Sequence, residues 1–258
     1  MKDLWNSGGV AYGVWTTLAD PVSIGIAGRA GFEYTCVDLQ HGLATFGEVP
    51  TILRYLRESG TTPIVRVASN DEALINRALD LGARGVVVPL VNTTGEAVAA
   101  VRACRYPGLP GGTDDLVSRG GGRSWGPIFA DLDGARNTDD DNLAAICIVQ
   151  IETRQAIENL ADIAAVPGID ALYVGPNDLA LGCGFGRATY RDDPEIATMI
   201  EAVIAACKKN DIVAGVHCSD IDMVHHWRAK GAQMLTAGID TTIVRVALRR
   251  QYTSAAAG

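Results

Sequence analysis

No stretch of this chain reaches the ~20 consecutive apolar residues that a membrane span needs. Its first residues, Met1-Lys2-Asp3-Leu4-Trp5-Asn6, lack the basic-then-apolar profile of a secretion signal. A basic stripe is missing too. With 22 Lys and Arg against 30 Asp and Glu, the formal charge of −8 argues against nucleic acid or an anionic membrane as partner. It does not forbid an anionic substrate, because a local arginine or metal can reverse the field inside a cleft. Cys36, Cys104, Cys147, Cys183, Cys207 and Cys218 form no C-x-x-C pair. Several sit in apolar runs such as Ala145-Ile146-Cys147-Ile148-Val149, where cysteine acts as a small hydrophobe. Reduced thiols in a cytoplasmic protein are therefore expected. Also absent is a G-x-G-x-x-G turn after the first apolar run, where Val14-Trp15-Thr16-Thr17-Leu18-Ala19 stands instead. That argues against a doubly wound dinucleotide-binding sheet.

What the chain does have is repetition. Apolar, β-branched runs recur eight times, at 9–16, 34–39, 63–68, 85–91, 145–151, 171–176, 212–217 and 233–238. Near-continuous apolarity suits parallel strands covered on both faces. Helical patterns fill the gaps at 21–31, 48–60, 72–85, 95–108, 153–168, 194–210 and 220–232, several ending in or near glycine. Eight strand–helix alternations in this length predict an α/β chain folded as one (β/α)8 TIM barrel, a single domain over 1–258. Residues 107–142 break the rhythm with a long glycine-rich and acidic excursion, expected as a lid, a subunit contact or a mobile loop. Within it Asp139-Asp140-Asp141 reads as a solvated turn, and only weakly as a metal site.

Active sites of such barrels lie at the C-terminal ends of the strands. That rule gathers Asp38, Gln40 and His41 after the second run, Arg66 in the third, Gln150 and Glu152 in the fifth, Gly175-Pro176-Asn177-Asp178 after the sixth, and His217 closing the seventh. Trp15, near the end of the first run, is a further substrate-binding candidate. Glu152 and Asp178 follow neighbouring strands, so their carboxylates come close enough to repel. A hard divalent cation relieves that, since Mg²⁺ takes one or two carboxylates and keeps other positions for water and substrate. Helix capping or salt bridging are the alternatives for the two acids. Zinc is disfavoured because no histidine or cysteine cluster has its spacing. No lysine ends a predicted strand, which argues against a Schiff-base mechanism.

Five segments, VDLQHG, PIVRVASND, VQIET, GPNDLA and AGIDTT, together with ACRYP at 103–107, resemble in order the motifs of the HpcH/HpaI aldolase family. The resemblance runs from about Tyr12 to Leu248. It implies a class II aldolase that cleaves 4-hydroxy-2-oxoacids to pyruvate and an aldehyde with Mg²⁺, Mn²⁺ or Co²⁺. Glu152 and Asp178 match the family's metal ligands, Arg66 the arginine beside the oxo group, His41 the catalytic histidine, and Asp80 an acid associated with it. Gln150 matches a contact to the oxoacid, and the backbone around Asn177 and Asp178 its carboxylate-binding turn. A homo-oligomer is implied, a hexamer built as a trimer of dimers, with the last helix exchanged through Thr242–Leu248. Asp38 is expected to orient the turn that carries His41. His41 would shuttle a proton to or from the substrate hydroxyl, with a metal-bound water as the other candidate base and helix capping as its alternative duty. Arg66→Ala is expected to depress turnover far more than folding.

Three departures from the pattern stand out. Gln40 replaces an acid in the turn before His41. A stretch is inserted after Tyr106-Pro107, so that the family's arginine pattern resumes only near Arg123, a substrate-binding candidate by that match. His217 stands where apolar residues are usual, and either touches the aldehyde half of the substrate and alters preference or hydrogen-bonds at the rim. His225 and His226 fall on a helical pattern and read as surface residues. Rival readings are a decarboxylase of the oxaloacetate type, an acyl-CoA hydroxyacid lyase, and a non-catalytic barrel that binds metabolites.

Overall fold

In the computed structural model, which describes residues 1–107, 122–123 and 138–257, all eight apolar runs are strands. They are β1 Ala11–Thr16, β2 Tyr34–Asp38, β3 Thr62–Arg66, β4 Gly85–Val88, β5 Ile146–Gln150, β6 Ala171–Val174, β7 Val213–His217 and β8 Met234–Ile239. Each pairs in parallel with its sequence neighbour, and β8 returns to β1, closing a barrel. The apolarity of the runs follows from this closure. On one side Cys36, Ile64, Val87, Ile148 and Met234 fill the barrel interior. On the other Val37, Val65, Val88, Val149 and Leu172 pack outward beneath the helices. Strands buried on both faces cannot alternate with polar residues.

The helices start where side chains can take up their free N–H groups. Asp20, Asp71, Thr93, Thr153, Asp193 and Asp220 each accept one, and Thr93 with Glu96 forms a reciprocal pair of such bonds. The pattern at 153–168 divides into two helices, Arg154–Glu158 and Leu160–Ala164. The break falls at Asn159, whose side chain donates to Asn92 O at 2.8 Å. Asp139, Asp140 and Asp141 form the first turn of helix Thr138–Ala144, not a free turn. There the acids oppose the positive end of the helix dipole. The remainder of the 107–142 excursion, 108–121 and 124–137, lies outside the described residues.

Two more short helices were not foreshadowed by periodicity. Lys2–Asn6 sets Trp5 under the barrel, its indole donating to Gln233 O at 3.2 Å. Pro176–Gly182 opens directly from β6. The last helix, Asp240–Ala256, buries none of its residues and leaves Ile243, Val244, Val246 and Leu248 in the open. Among the described residues no helix is long and apolar enough to cross a membrane, and all six cysteines are buried and unpaired.

Candidate active site

A cavity of about 220 Å³ opens at the C-terminal ends of the strands. Two strand ends pair on its wall, for Asp38 and Arg66 are register partners on β2 and β3. Arg66 presents its side edge to the carboxylate, with Nε donating to Oδ1 at 2.9 Å and Nη2 to Oδ2 at 2.5 Å. Asp38 also accepts from Trp15 Nε1 and from the backbone N–H groups of Gln40 and His41, at 3.2, 2.9 and 3.1 Å. Burial works against the Asp38 charge, but the hydrogen bonds and cation of Arg66 outweigh it and hold the carboxyl below its usual range. A carboxylate so fully engaged is an orienting group rather than a base. It fixes the guanidinium and the turn into His41, leaving Arg66 Nη1 for an incoming oxygen.

Asp178, in the first turn of helix Pro176–Gly182, lines the cavity, and Glu152 follows β5 beside Gln150 without lining it. Glu152 is 4% exposed. Its Oε1 accepts from Leu90 N at 2.8 Å, and its Oε2 from Gln150 Nε2 at 2.5 Å. Leu90 holds φ +54, a left-handed conformation that a branched residue adopts at a cost, and it aims that N–H at the acid. Burial raises the Glu152 carboxyl pKa above its usual value, and the Asp178 charge adds to the rise. Gly175 sits between the two groups. A Cβ there would stand 3.1 Å from Asp178 Oδ2 and 3.2 Å from Gln150 Nε2. Gln150 Oε1 is buried with no hydrogen-bond partner among the described residues. Two mutually repelling carboxylates beside an unsatisfied amide oxygen form an all-oxygen donor set that fits a hard dication. No group of three or more His, Cys, Asp or Glu side chains that could hold a metal ion occurs among the described residues, so substrate and water would complete the shell.

Trp15 forms the floor, with the Arg66 guanidinium 5.0 Å from its ring and Tyr173 stacked on it at 5.5 Å. His41 lies exposed at the rim, and Asn177 and Pro176 line the wall. The half-buried ring of His217 meets Trp15 edge-on at 4.9 Å. Burial and the Arg66 cation push its pKa down to about 4. Asp80 and Arg123 do not line this cavity. They pair with each other, Arg123 Nε to Asp80 Oδ1 at 3.2 Å, with the guanidinium over Tyr106. Asp80 ends a helix that has run back toward the N-terminal ends of the strands, away from His41. Gln40 keeps its backbone bond to Asp38, while its Oε1 is buried without a partner among the described residues. His225 and His226 are exposed on helix Ile221–Ala229, as expected.

Two contributors were not singled out from sequence. Tyr173 lines the cavity from inside β6, where a period-two reading of Ala171–Val174 would have turned it inward. Asp240, in the AGIDTT segment, accepts from Thr17 N, Thr17 Oγ1 and Leu18 N, each at 2.9 Å, and so fixes the loop after β1.

Residues 11–247 match the HpcH/HpaI aldolase/citrate lyase family model. The chain belongs to this family. Its relatives include a 2-dehydro-3,6-dideoxy-6-sulfogluconate aldolase of Pseudomonas putida, 35% identical over 90% of this chain and 87% of that protein. A hydroxypyruvate/pyruvate aldolase of Roseovarius nubinhibens is 31% identical over 96% and 93%. An HpcH/HpaI aldolase/citrate lyase family protein from Burkholderia cenocepacia J2315 superposes with a TM-score of 0.89 at 27% identity, covering 98% of this chain and 97% of that one.

Proposed function

We propose that this HpcH/HpaI family member is a carbon–carbon lyase, an aldolase dependent on a divalent metal. It cleaves and forms 4-hydroxy-2-oxoacids, with pyruvate or a close 2-oxoacid as one product and an aldehyde as the other. The observation that carries the reading is one cavity lined by the buried, carboxylate-locked Arg66 together with Gln150 and Asp178, with Glu152 buried beside it, bonded to Gln150 and close enough to Asp178 for that charge to raise its pKa. Cleavage between C3 and C4 leaves an enolate of the oxoacid, and its negative oxygen needs fixed positive charge that does not have to reorganise. Arg66 supplies one such charge through Nη1. A divalent cation held by Glu152 and Asp178 supplies, when bound, a Lewis acid for the keto and carboxylate oxygens.

The other side chains bind, orient and move protons. Asn177 and the opening of helix Pro176–Gly182 offer N–H groups to the substrate carboxylate. Gln150 presents an amide beside the oxoacid, and Trp15 closes the floor against water. His41, at the rim where the hydroxyl-bearing half leaves, takes and returns the hydroxyl proton. Asp80 and Arg123 enter this scheme only through a neighbouring subunit. Exposed Ile243, Val244, Val246 and Leu248 support such an assembly, a hexamer with exchanged last helices. Six buried thiols suit a cytoplasmic setting.

Pyruvate release from a panel of 4-hydroxy-2-oxoacids tests the reading. Turnover is expected with Mg²⁺, Mn²⁺ or Co²⁺ and is lost with chelator. No release with any of the three would overturn it.

A further inference from the structure

Among the described residues Leu90 is the one branched aliphatic residue with a left-handed backbone, and its own packing does not account for the strain. Its neighbours Pro89 and Val91 are buried, while Leu90 itself is 51% exposed. What the turn gains is a backbone donor directed at the next strand end, the 2.8 Å bond from Leu90 N to Glu152 Oε1. Asn92 holds the turn in that shape. Its Nδ2 donates to Leu90 O at 2.9 Å, and its Oδ1 accepts from Thr153 Oγ1. Its backbone N–H donates to Glu96 Oε2 at 2.7 Å, and its carbonyl accepts from Asn159 Nδ2 at 2.8 Å. One residue with every polar group engaged thus ties the loop after β4 to Thr153, the residue next to Glu152.

The two oxygens of Glu152 are held differently. Oε1 meets a backbone N–H that cannot leave unless the turn unwinds. Oε2 accepts from the side-chain amide of Gln150, whose own Oε1 is buried without a partner and so does not anchor it. Gln150 also faces Asp178 across Gly175, where a Cβ would stand 3.2 Å from Gln150 Nε2 and 3.1 Å from Asp178 Oδ2. Oε2 is therefore the oxygen that can pass to a cation shared with Asp178, and Oε1 is the one withheld. A carboxylate with one oxygen withheld binds an ion through the other alone. Small octahedral ions such as Mg²⁺ and Mn²⁺ accept that, whereas larger Ca²⁺ gains from carboxylates that give both oxygens.

We propose that Asn92 is a positioning residue, which keeps Leu90 in its left-handed turn, withholds Glu152 Oε1, and so biases the site toward small dications over Ca²⁺. The inference rests on the Glu152–Asp178 cation reading above. Calorimetric titration of the metal-free protein with Mn²⁺ and with Ca²⁺ tests it. Asn92→Ala lets residue 90 relax toward negative φ and turns the N–H away. It should weaken Mn²⁺ binding about tenfold and leave Ca²⁺ binding unchanged or stronger, so the preference for Mn²⁺ falls by about tenfold or more. Leu90→Gly, for which a left-handed backbone carries no steric cost, should keep the wild-type preference. Added to Asn92→Ala, it should restore most of what was lost. A merely structural role for Asn92 would weaken both ions alike and would not be rescued by deleting a side chain. Equal loss of both ions, an unchanged preference in Asn92→Ala, or no recovery in the double variant overturns the proposal. If Asn92→Ala does not fold, a wild-type crystal grown with Mn²⁺ decides. One Glu152 oxygen on the ion with Leu90 N–H on the other supports the proposal, and both oxygens on the ion overturn it. Failure of the cation reading looks different, since wild type would then bind neither ion, or bind Mn²⁺ no better than Glu152→Gln does.

Discussion

Arg66 shows why a strong site residue is hard to isolate by mutation. The expectation that Arg66→Ala would spare folding does not survive the geometry, because Asp38 is 1% exposed and loses two of its five hydrogen bonds with the guanidinium. Breaking a buried pair typically costs about 3–5 kcal/mol of stability, and removing a charge that meets an oxyanion costs about 3–4 kcal/mol of barrier. Arg66→Ala should therefore lower both the melting temperature and turnover. Adding Asp38→Asn should restore melting but not turnover, and recovery of turnover in the double variant would remove Arg66 from the chemistry. His217 gives a pH signature. Its pKa falls from 6.5 to about 4 on folding, so between those values the unfolded chain binds a proton that the folded one refuses. Its stabilising contribution is complete above pH 6.5 and is lost as pH falls toward 4. Chemical denaturation across pH 4–7 should show wild type losing more stability than His217→Leu. At this scale the positions of Asp38, Arg66, Asp178 and His217 on the cavity wall were legible, because they stand at or just after strand ends, whereas Glu152 follows β5 without lining the cavity. Tyr173 was not, since an aromatic inside an apolar run reads as core until its hydroxyl is seen to reach the cavity wall.

Elements carry the next layer of specification. Helix Pro176–Gly182 holds Asp178 in its first turn, and Gly175 leaves the space through which that carboxylate approaches Gln150. Gly175→Ala should leave the barrel folded, as circular dichroism would show. It should also weaken metal binding in calorimetry about tenfold, because a methyl 3.1 Å from Asp178 Oδ2 displaces the ligand. Unchanged affinity would mean that Asp178 does not bind the ion from this position. The eight strands could be read directly, since burial on both faces leaves a signal that periodicity cannot blur. Helices were less legible. The split at Asn159 depends on a bond to Asn92, 67 residues away, and no local pattern encodes such a partner. Helix Pro176–Gly182 is too short for its spacing to register.

For the whole molecule, the last helix and the displaced Asp80–Arg123 pair point the same way. Exposed apolar Ile243, Val244, Val246 and Leu248 on a helix that buries nothing are expected to be covered by another copy of the chain. The double variant Val246→Asp, Leu248→Asp should shift the protein from oligomer to monomer in light scattering, with turnover reduced if a neighbour supplies Asp80. A wild-type monomer would contradict this. The barrel and its reactive end could be read from one chain, because strand order and strand ends are properties of one chain. The roles of Asp80 and Arg123 could not, because the fold directs them away from the cavity they were assigned to. The central claim is that Glu152 and Asp178 together hold a dication. Calorimetric titration of Mn²⁺ into the metal-free protein tests it most directly. One ion per chain is predicted for wild type, with binding lost in both Glu152→Gln and Asp178→Asn. Absence of binding at saturating Mn²⁺, or affinity unchanged in both variants, would contradict the account.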